Sequence, residues 1–227
     1  MEFRKFRHEY KFFITYGDYL ALKARLNAVA QLDPNTGEEG RYFIRSLYFD
    51  NVYDSALKDK INGVNNREKF RILCYNRDES FVRLEKKSKI NGLCNKIQAR
   101  LTREEAEKII RGDLDWMKDS GRALVVEFYA KMRFGLLRPK VIVDYTREPY
   151  IFKAGNVRIT FDYNIKTGLY NLNMFDFEEP TVTAQAESIL LEVKYDAFLP
   201  EVIQSALQEG GRRSGSFSKY GSCRIYG

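Results

Sequence analysis

The chain is poor in the residues that usually announce a metal centre, a disulfide scaffold or a membrane span. It has three cysteines, Cys74, Cys94 and Cys223. Their spacing fits no metal-ligand pattern and their number is odd, so neither a zinc site nor a complete disulfide set is indicated. Reduced thiols in the cytoplasm are the simplest reading. Five prolines and no low-complexity tract argue against a long linker, and all 227 residues are expected to form a single domain (1–227). No apolar run approaches the roughly 20 residues that cross a bilayer. The segment from Met1 to His8 is charged from its second residue and lacks the apolar core of a signal peptide. These absences lead to the expectation of a soluble, cytoplasmic protein, with any membrane association made through a partner.

What is present is aromatic and basic. Hydrophobic residues make up 44% and aromatics 14%, including 15 Tyr and 16 Phe, a globular β-rich composition. Lys and Arg outnumber Asp and Glu by 38 to 31, a formal charge of +7. That excess favours anionic partners without naming one, since RNA, DNA, lipid head groups and phosphate esters all qualify. The Tyr and Phe residues fall mostly on predicted apolar faces and form no stacking platform, so nucleic acid is not the expected partner.

Charge and apolarity alternate along several stretches: Arg7, Glu9, Lys11; Arg67, Lys69, Arg71; Arg83, Glu85, Lys87, Lys89; Arg158, Thr160, Asp162; and Glu192, Lys194. Successive side chains on a strand point to opposite faces, so each stretch has one charged and one apolar face. A solvated sheet explains any one of them. Their number suggests instead that the charged faces line the inside of a closed sheet. Such an interior must be wet, hold its own carboxylates as counter-charges, or contain an anion, and a polyphosphate meets that demand because arginine grips phosphate oxygens bidentately.

Strands are predicted over Phe6 to Thr15, Tyr42 to Asp50, Arg67 to Tyr75, Ser80 to Lys89, Asn95 to Leu101, Lys140 to Arg147, Val157 to Tyr163 and Ser188 to Tyr195, with Asn91-Gly92 as a hairpin turn. Helices are predicted over 19–32, opened by Asp18, over 103–111 behind a Thr102/Glu105 capping box, and over 122–134, closed by Gly135. A short helix runs from Pro200 through Leu207, and 210–221 reads as a Gly/Ser-rich basic stretch with Arg212, Arg213 and Lys219. The class is α+β with a mostly antiparallel sheet, and the three longer helices cover its outward apolar face.

On these strands the residues resemble the VTC domain, the polyphosphate polymerase domain of the triphosphate tunnel metalloenzyme (CYTH-like) superfamily. The resemblance runs from Arg7-His8-Glu9-Tyr10-Lys11 through Ser46-Leu47-Tyr48-Phe49-Asp50, Leu84-Glu85-Lys86-Lys87, Asp144-Tyr145-Thr146-Arg147, Val157-Arg158-Ile159-Thr160-Phe161-Asp162 and Leu191-Glu192-Val193-Lys194-Tyr195 to Ser216-Phe217-Ser218-Lys219-Tyr220. It implies a closed, eight-stranded antiparallel β-barrel, a tunnel that binds ATP and growing inorganic polyphosphate, with helices packed outside. It also implies that Arg71, Lys87, Arg147 and Arg158 act on the transferring phosphoryl group. Lys11, Lys69, Tyr145, Ser218 and Lys219 would bind phosphate, and Glu192 with Glu9 would hold a divalent metal, manganese or magnesium.

Three departures stand out. Arg7 replaces one carboxylate of an opening Glu-x-Glu-x-Lys, Leu73 replaces the second arginine of an Arg-x-Arg pair, and Ser216 stands where a further lysine is expected. The implied activity is ATP-dependent polyphosphate polymerisation, which asks a protein for positioning and charge neutralisation. A metal-dependent tripolyphosphatase and a non-catalytic polyphosphate or nucleotide-binding module are the alternatives. His8 falls on the opposite strand face from Glu9, so a phosphohistidine is not expected.

Overall fold

The computed structural model describes residues 6–186, 188–207 and 214–225. Arg212 and Arg213 of the basic stretch, and residues 1–5 of the N-terminal segment, lie outside the described residues. In chain order, β1 (His8–Ile14), α1 (Tyr16–Val29), β2 (Gln31–Leu32), β3 (Tyr42–Asp50) and α2 (Ser55–Ile61) come first. The meander β4 (Arg67–Tyr75), β5 (Val82–Ile90) and β6 (Leu93–Leu101) follows, then α3 (Arg103–Arg111) and α4 (Ala123–Arg133). The remainder holds β7 (Arg138–Phe152), β8 (Val157–Thr167), β9 (Val182–Thr183), β10 (Ile189–Tyr195), α5 (Glu201–Leu207) and α6 (Lys219–Ile225).

Eight strands form one antiparallel path in the order β1-β10-β8-β7-β3-β4-β5-β6, with β2 added to β7 and β9 to β8. The two edges of this path, β1 and β6, meet through one isolated antiparallel bridge. There the backbone N–H groups of Arg7 and Cys94 each donate to the other residue's carbonyl at 3.0 Å. The α+β antiparallel class therefore stands, while the expected closed barrel is a curled sheet with no β1–β6 ladder among the described residues. Arg7 is also tied to β10's end, its Nε 2.9 Å from Asp196 Oδ1, so the β1 edge follows β10 as much as β6.

Alternation places two of the three apolar clusters outside, under the helices. Phe70 stacks on Phe128 of α4 at 5.0 Å between ring centroids, and Phe49 meets the same ring edge-on at 4.9 Å. Leu22 and Leu26 of α1 join Phe12, Phe161 and Leu191 in a second buried cluster, closed by Ile203 and Leu207 of α5. Burying side chains of this kind contributes roughly 1.5–3 kcal/mol each. His8 faces outward and stacks on Tyr195 at 5.0 Å, in keeping with its predicted strand face.

The turn chemistry follows the sequence closely in places. Asn91 and Gly92 both have positive φ, 48° and 83°, as a type I′ hairpin turn requires. Thr102 and Glu105 form the reciprocal capping box of α3. At α1 the cap is Thr15, and Asp18 is its N3 partner rather than the cap, so the helix begins earlier and ends at Val29. The last capping residue of α4 is Phe134, with Gly135 just beyond it. A Cβ at Gly135 would stand 2.7 Å from the Lys131 carbonyl oxygen, which only glycine avoids.

Several further elements differ from expectation, among them β8, which runs on to Thr167, and the short strands β2 and β9, which were not predicted. Strand β7 continues past Arg147 to Phe152 in spite of Pro149, whose carbonyl accepts from Asp33 N–H at 3.0 Å. Helix α2 was not anticipated. It is held by Asp50, whose carboxylate accepts from the Ala56 and Leu57 amides at 3.0 and 3.1 Å and from the Tyr220 hydroxyl at 2.7 Å. Helix α6 takes the place of the end of the predicted Gly/Ser-rich stretch. Its Tyr220 and Cys223 pack with Leu73, Val143 and Ile165 in a third buried cluster.

Candidate functional site

The curled sheet encloses a cavity of about 1000 Å³. Every residue singled out from the sequence as acting on phosphate, binding it or holding a metal lines it, from Glu9 and Lys11 on β1 to Ser218 and Lys219 at the C-terminal end. The alternation explains this convergence, since one inward-facing parity on each strand carries the charges.

On β1 and β10 the charges form an alternating square. The register places Glu9 opposite Lys194 and Lys11 opposite Glu192. Lys11 Nζ lies 2.6 Å from Glu9 and 3.5 Å from Glu192, and Lys194 Nζ lies 2.5 Å from Glu192 and 3.1 Å from Glu9. Burial and the neighbouring Glu192 push the Glu9 carboxyl up, but Lys11 and Lys194 outweigh them and hold it at about 2. Burial likewise opposes ionisation of Glu192, and Lys194 and Lys11 carry it well below the usual carboxylate range.

A second group joins β7, β8 and α6. Arg147 donates Nε and Nη2 to the two oxygens of fully buried Asp162 at 2.6 Å each, and Lys219 reaches the same carboxylate at 2.5 Å. Lys219 is delivered there because Ser218 begins α6, its hydroxyl accepting from Gly221 N–H at 3.2 Å. The Ser218 hydroxyl is thus already a helix cap. The Tyr145 ring lies under both cations, 5.4 Å from Arg147 and 4.7 Å from Lys219. Burial works against ionisation of its phenol, yet Arg147, Arg71 and Lys219 together draw it below the ordinary tyrosine value. Arg158 stands at the rim, bound to Asp33 at 2.9 Å and to the Tyr42 hydroxyl at 2.7 Å.

The third wall is the β4–β5 ladder, whose cross-strand pairs are Arg71–Glu85, Lys69–Lys87 and Arg67–Lys89. Only the first is of mixed sign. Arg71 bonds Glu85 through Nε at 2.8 Å and points Nη1 at Ser46 and Tyr48, 3.1 and 3.3 Å away. The other two pairs oppose like charges, an arrangement that destabilises a sheet. Lys69 has no ion-pair partner among the described residues. Burial, followed by repulsion from Lys87, Lys11 and Arg71, pushes its ammonium well below the ordinary lysine range. Lys96 on β6 and Lys60 on α2 are lowered to about 8, by burial first and then by neighbouring cations.

The departure at Leu73 has a packing reason. Leu73 is fully buried in one apolar cluster with Tyr220 and Cys223 of α6, where an arginine's charge would lose its hydration. Several residues of the site were not singled out as such from the sequence. Glu85, Asp162 and Lys194 were visible as members of the alternating stretches, although their roles as counter-charges needed the register. Lys96 alternates with Gln98 and Arg100 in the same manner. Lys60 left no periodic signal, because it sits on a seven-residue helix with no buried residue.

The described residues contain no group of three or more His, Cys, Asp and Glu side chains arranged for a metal ion. Glu9 and Glu192 offer two carboxylates from adjacent strands, a donor set that suits magnesium-like cations when phosphate oxygens and water complete the shell. The Thr160 hydroxyl, opposite Glu192 in the β8–β10 ladder, is buried and has no hydrogen-bond partner among the described residues. An unsatisfied polar atom beside this carboxylate is compatible with a hydrated cation or anion in the cavity.

Among solved structures, a Bacillus halodurans protein described as a "putative adenylate cyclase" is similar at 13% identity and a TM-score of 0.52, over 91% of this chain and 88% of that one. The PH1819 protein of Pyrococcus horikoshii gives 13% identity and a TM-score of 0.49, over 96% of each chain. The first likeness supports the fold. No curated protein matches the chain. The family model described as the VTC domain matches residues 6–225, and with that span the chain belongs to the VTC domain family.

Proposed function

We propose that the protein is a polyphosphate polymerase that transfers the γ-phosphate of ATP to a growing inorganic polyphosphate chain within its basic cavity. The observation that carries this reading is the β4–β5 wall, where two successive like-charge pairs and a half-buried Lys69, without an ion-pair partner among the described residues, are suited to a multivalent anion. A linear polyphosphate supplies negative charge at each repeat and so compensates several cations in a row. Simple esters of one phosphate would leave most of them opposed to one another.

In the reaction, an oxygen of the chain's terminal phosphate attacks the γ-phosphorus in line. A P–O bond to the chain forms as the bond from the γ-phosphorus to the β–γ bridging oxygen breaks, and ADP leaves with that electron pair. Arg71, Arg147, Arg158 and Lys87 stabilise the charge spread over the transferring group, each already oriented by a carboxylate or a phenol. Lys11, Lys69, Tyr145 and Lys219 hold the phosphates on either side. Glu9 and Glu192 would hold a divalent cation such as manganese or magnesium, which when bound neutralises phosphate charge. No protein nucleophile takes part.

A second reading has a specific observation in its favour. Both Glu9 and Glu192 are occupied by Lys11 and Lys194, which suits a module that binds polyphosphate without turning over. Incubation of purified protein with ATP and manganese separates the possibilities. Polymer and ADP are the expected products; free phosphate without polymer would make the protein a tripolyphosphatase. Tight polyphosphate binding without any turnover, unchanged in Glu192→Ala, would leave only the binding module.

A further inference from the structure

The charged wall changes character along its length. At the Arg71 level each cation has a carboxylate, through Glu85 on one side and Asp162 on the other. Four residues further toward the start of β4, about 13 Å along the strand, Arg67 faces Lys89. Neither forms an ion pair among the described residues. Lys60 of α2 comes from outside the sheet to the same place, and its ammonium bonds the hydroxyl of Ser216. Ser216 is in turn placed by its neighbour, Gly215, whose N–H donates to the Lys11 carbonyl at 2.8 Å. Lys60 also forms no ion pair among the described residues, and its ammonium is lowered by burial and by Arg67, Lys11 and Lys89. All three cations line the cavity.

A neutral hydroxyl orients Lys60 without cancelling its charge, and α2 is held from behind by the buried Asp50. The result is a cationic cluster without ion-pair partners among the described residues, set apart from the Arg71, Arg147 and Lys219 group. A reacting triphosphate seated on that group leaves this cluster to whatever extends beyond it.

Resting on the polyphosphate reading above, we propose that Lys60, Arg67 and Lys89 form a second anion station, which binds the phosphates of a linear chain beyond the third and gives the protein a preference for long polyphosphate over tripolyphosphate. The test is calorimetric titration of the full chain with sodium tripolyphosphate and with medium-chain inorganic polyphosphate, reading the ratio of the two affinities. Lys60→Ser and Lys89→Ser should each lower that ratio by about tenfold, the size of one charge-assisted hydrogen bond. Because Lys60 ends on Ser216, the exchange Lys60→Ser with Ser216→Lys returns an ammonium to the same part of the cavity and should restore the ratio. An unchanged ratio in both single variants would overturn the proposal, as would a ratio that falls in Lys60→Ser and stays low in the exchanged double variant. Lys89→Ser, on β5 and away from α2, decides the matter should Lys60→Ser fail to fold. If the unaltered protein binds neither anion, it is the polyphosphate reading that fails.

Discussion

Lys69 is the residue on which the electrostatics of the cavity turn. It is a half-buried cation with cations at its flanks and across the ladder, and its ammonium lies 5.5 Å from the Tyr48 ring. Removing it should have opposite effects on the empty and the filled protein. Lys69→Met is expected to raise the stability of the ligand-free protein by up to about 1 kcal/mol, because a half-buried charge crowded by Lys87, Lys11 and Arg71 is removed while much of its aliphatic packing is kept. The same substitution should weaken tripolyphosphate binding by about tenfold or more. Urea denaturation with and without tripolyphosphate reads both effects. A destabilised ligand-free variant would mean that Lys69 has a protein counter-charge. From sequence, Lys69 was legible as a member of an alternating stripe but not as its most costly member, since the opposing Lys87 becomes its neighbour only through the hairpin register.

At the scale of elements, legibility followed length and period. Strands β3 and β4 agree with the sequence reading to the residue, because nine-residue runs rich in aromatic and aliphatic residues and free of Gly and Pro leave little freedom of assignment. Helix α3 does too, through its capping box. The missed helices, α2 and α6, are seven residues each and are held by tertiary contacts rather than by an apolar stripe. One buried carboxylate ties them together: Asp50 ends β3, caps α2 and receives the hydroxyl of Tyr220 in α6. Asp50→Ala is therefore expected to cost about 3 kcal/mol, from two lost helix-cap bonds and an orphaned buried hydroxyl. Polyphosphate affinity should fall with it, as α2 carries Lys60 and α6 carries Lys219. Thermal denaturation and titration of the variant check both; a loss of stability with full affinity would show that the two helices do not position the cations.

For the whole molecule, the depressed lysines make anion binding a proton-linked event. Lys60 and Lys96 lose their protons near pH 8 in the empty protein, and Lys69 lies lower than an ordinary lysine. A polyanion favours the charged forms, so binding raises these values and takes up protons. Affinity should therefore be greatest on the acid side and should fall as pH rises through about 8. Calorimetry in two buffers of different ionisation enthalpy measures the uptake, and heats that do not depend on the buffer would refute it. Stability runs the other way. Unfolded lysines titrate near 10.4, so between about 8 and 10.4 the unfolded chain holds more protons than the folded one. The contribution of these lysines to the stability of the ligand-free protein consequently rises with pH across that window.

The edges of the sheet meet at Arg7 and Cys94 by two backbone hydrogen bonds, where every other junction on the path is a ladder of several residues. At roughly 1 kcal/mol net for each such bond, this is the least cohesive line around the wall. Were this seam to part, a long chain would enter sideways, by its middle, with no need to thread a free end.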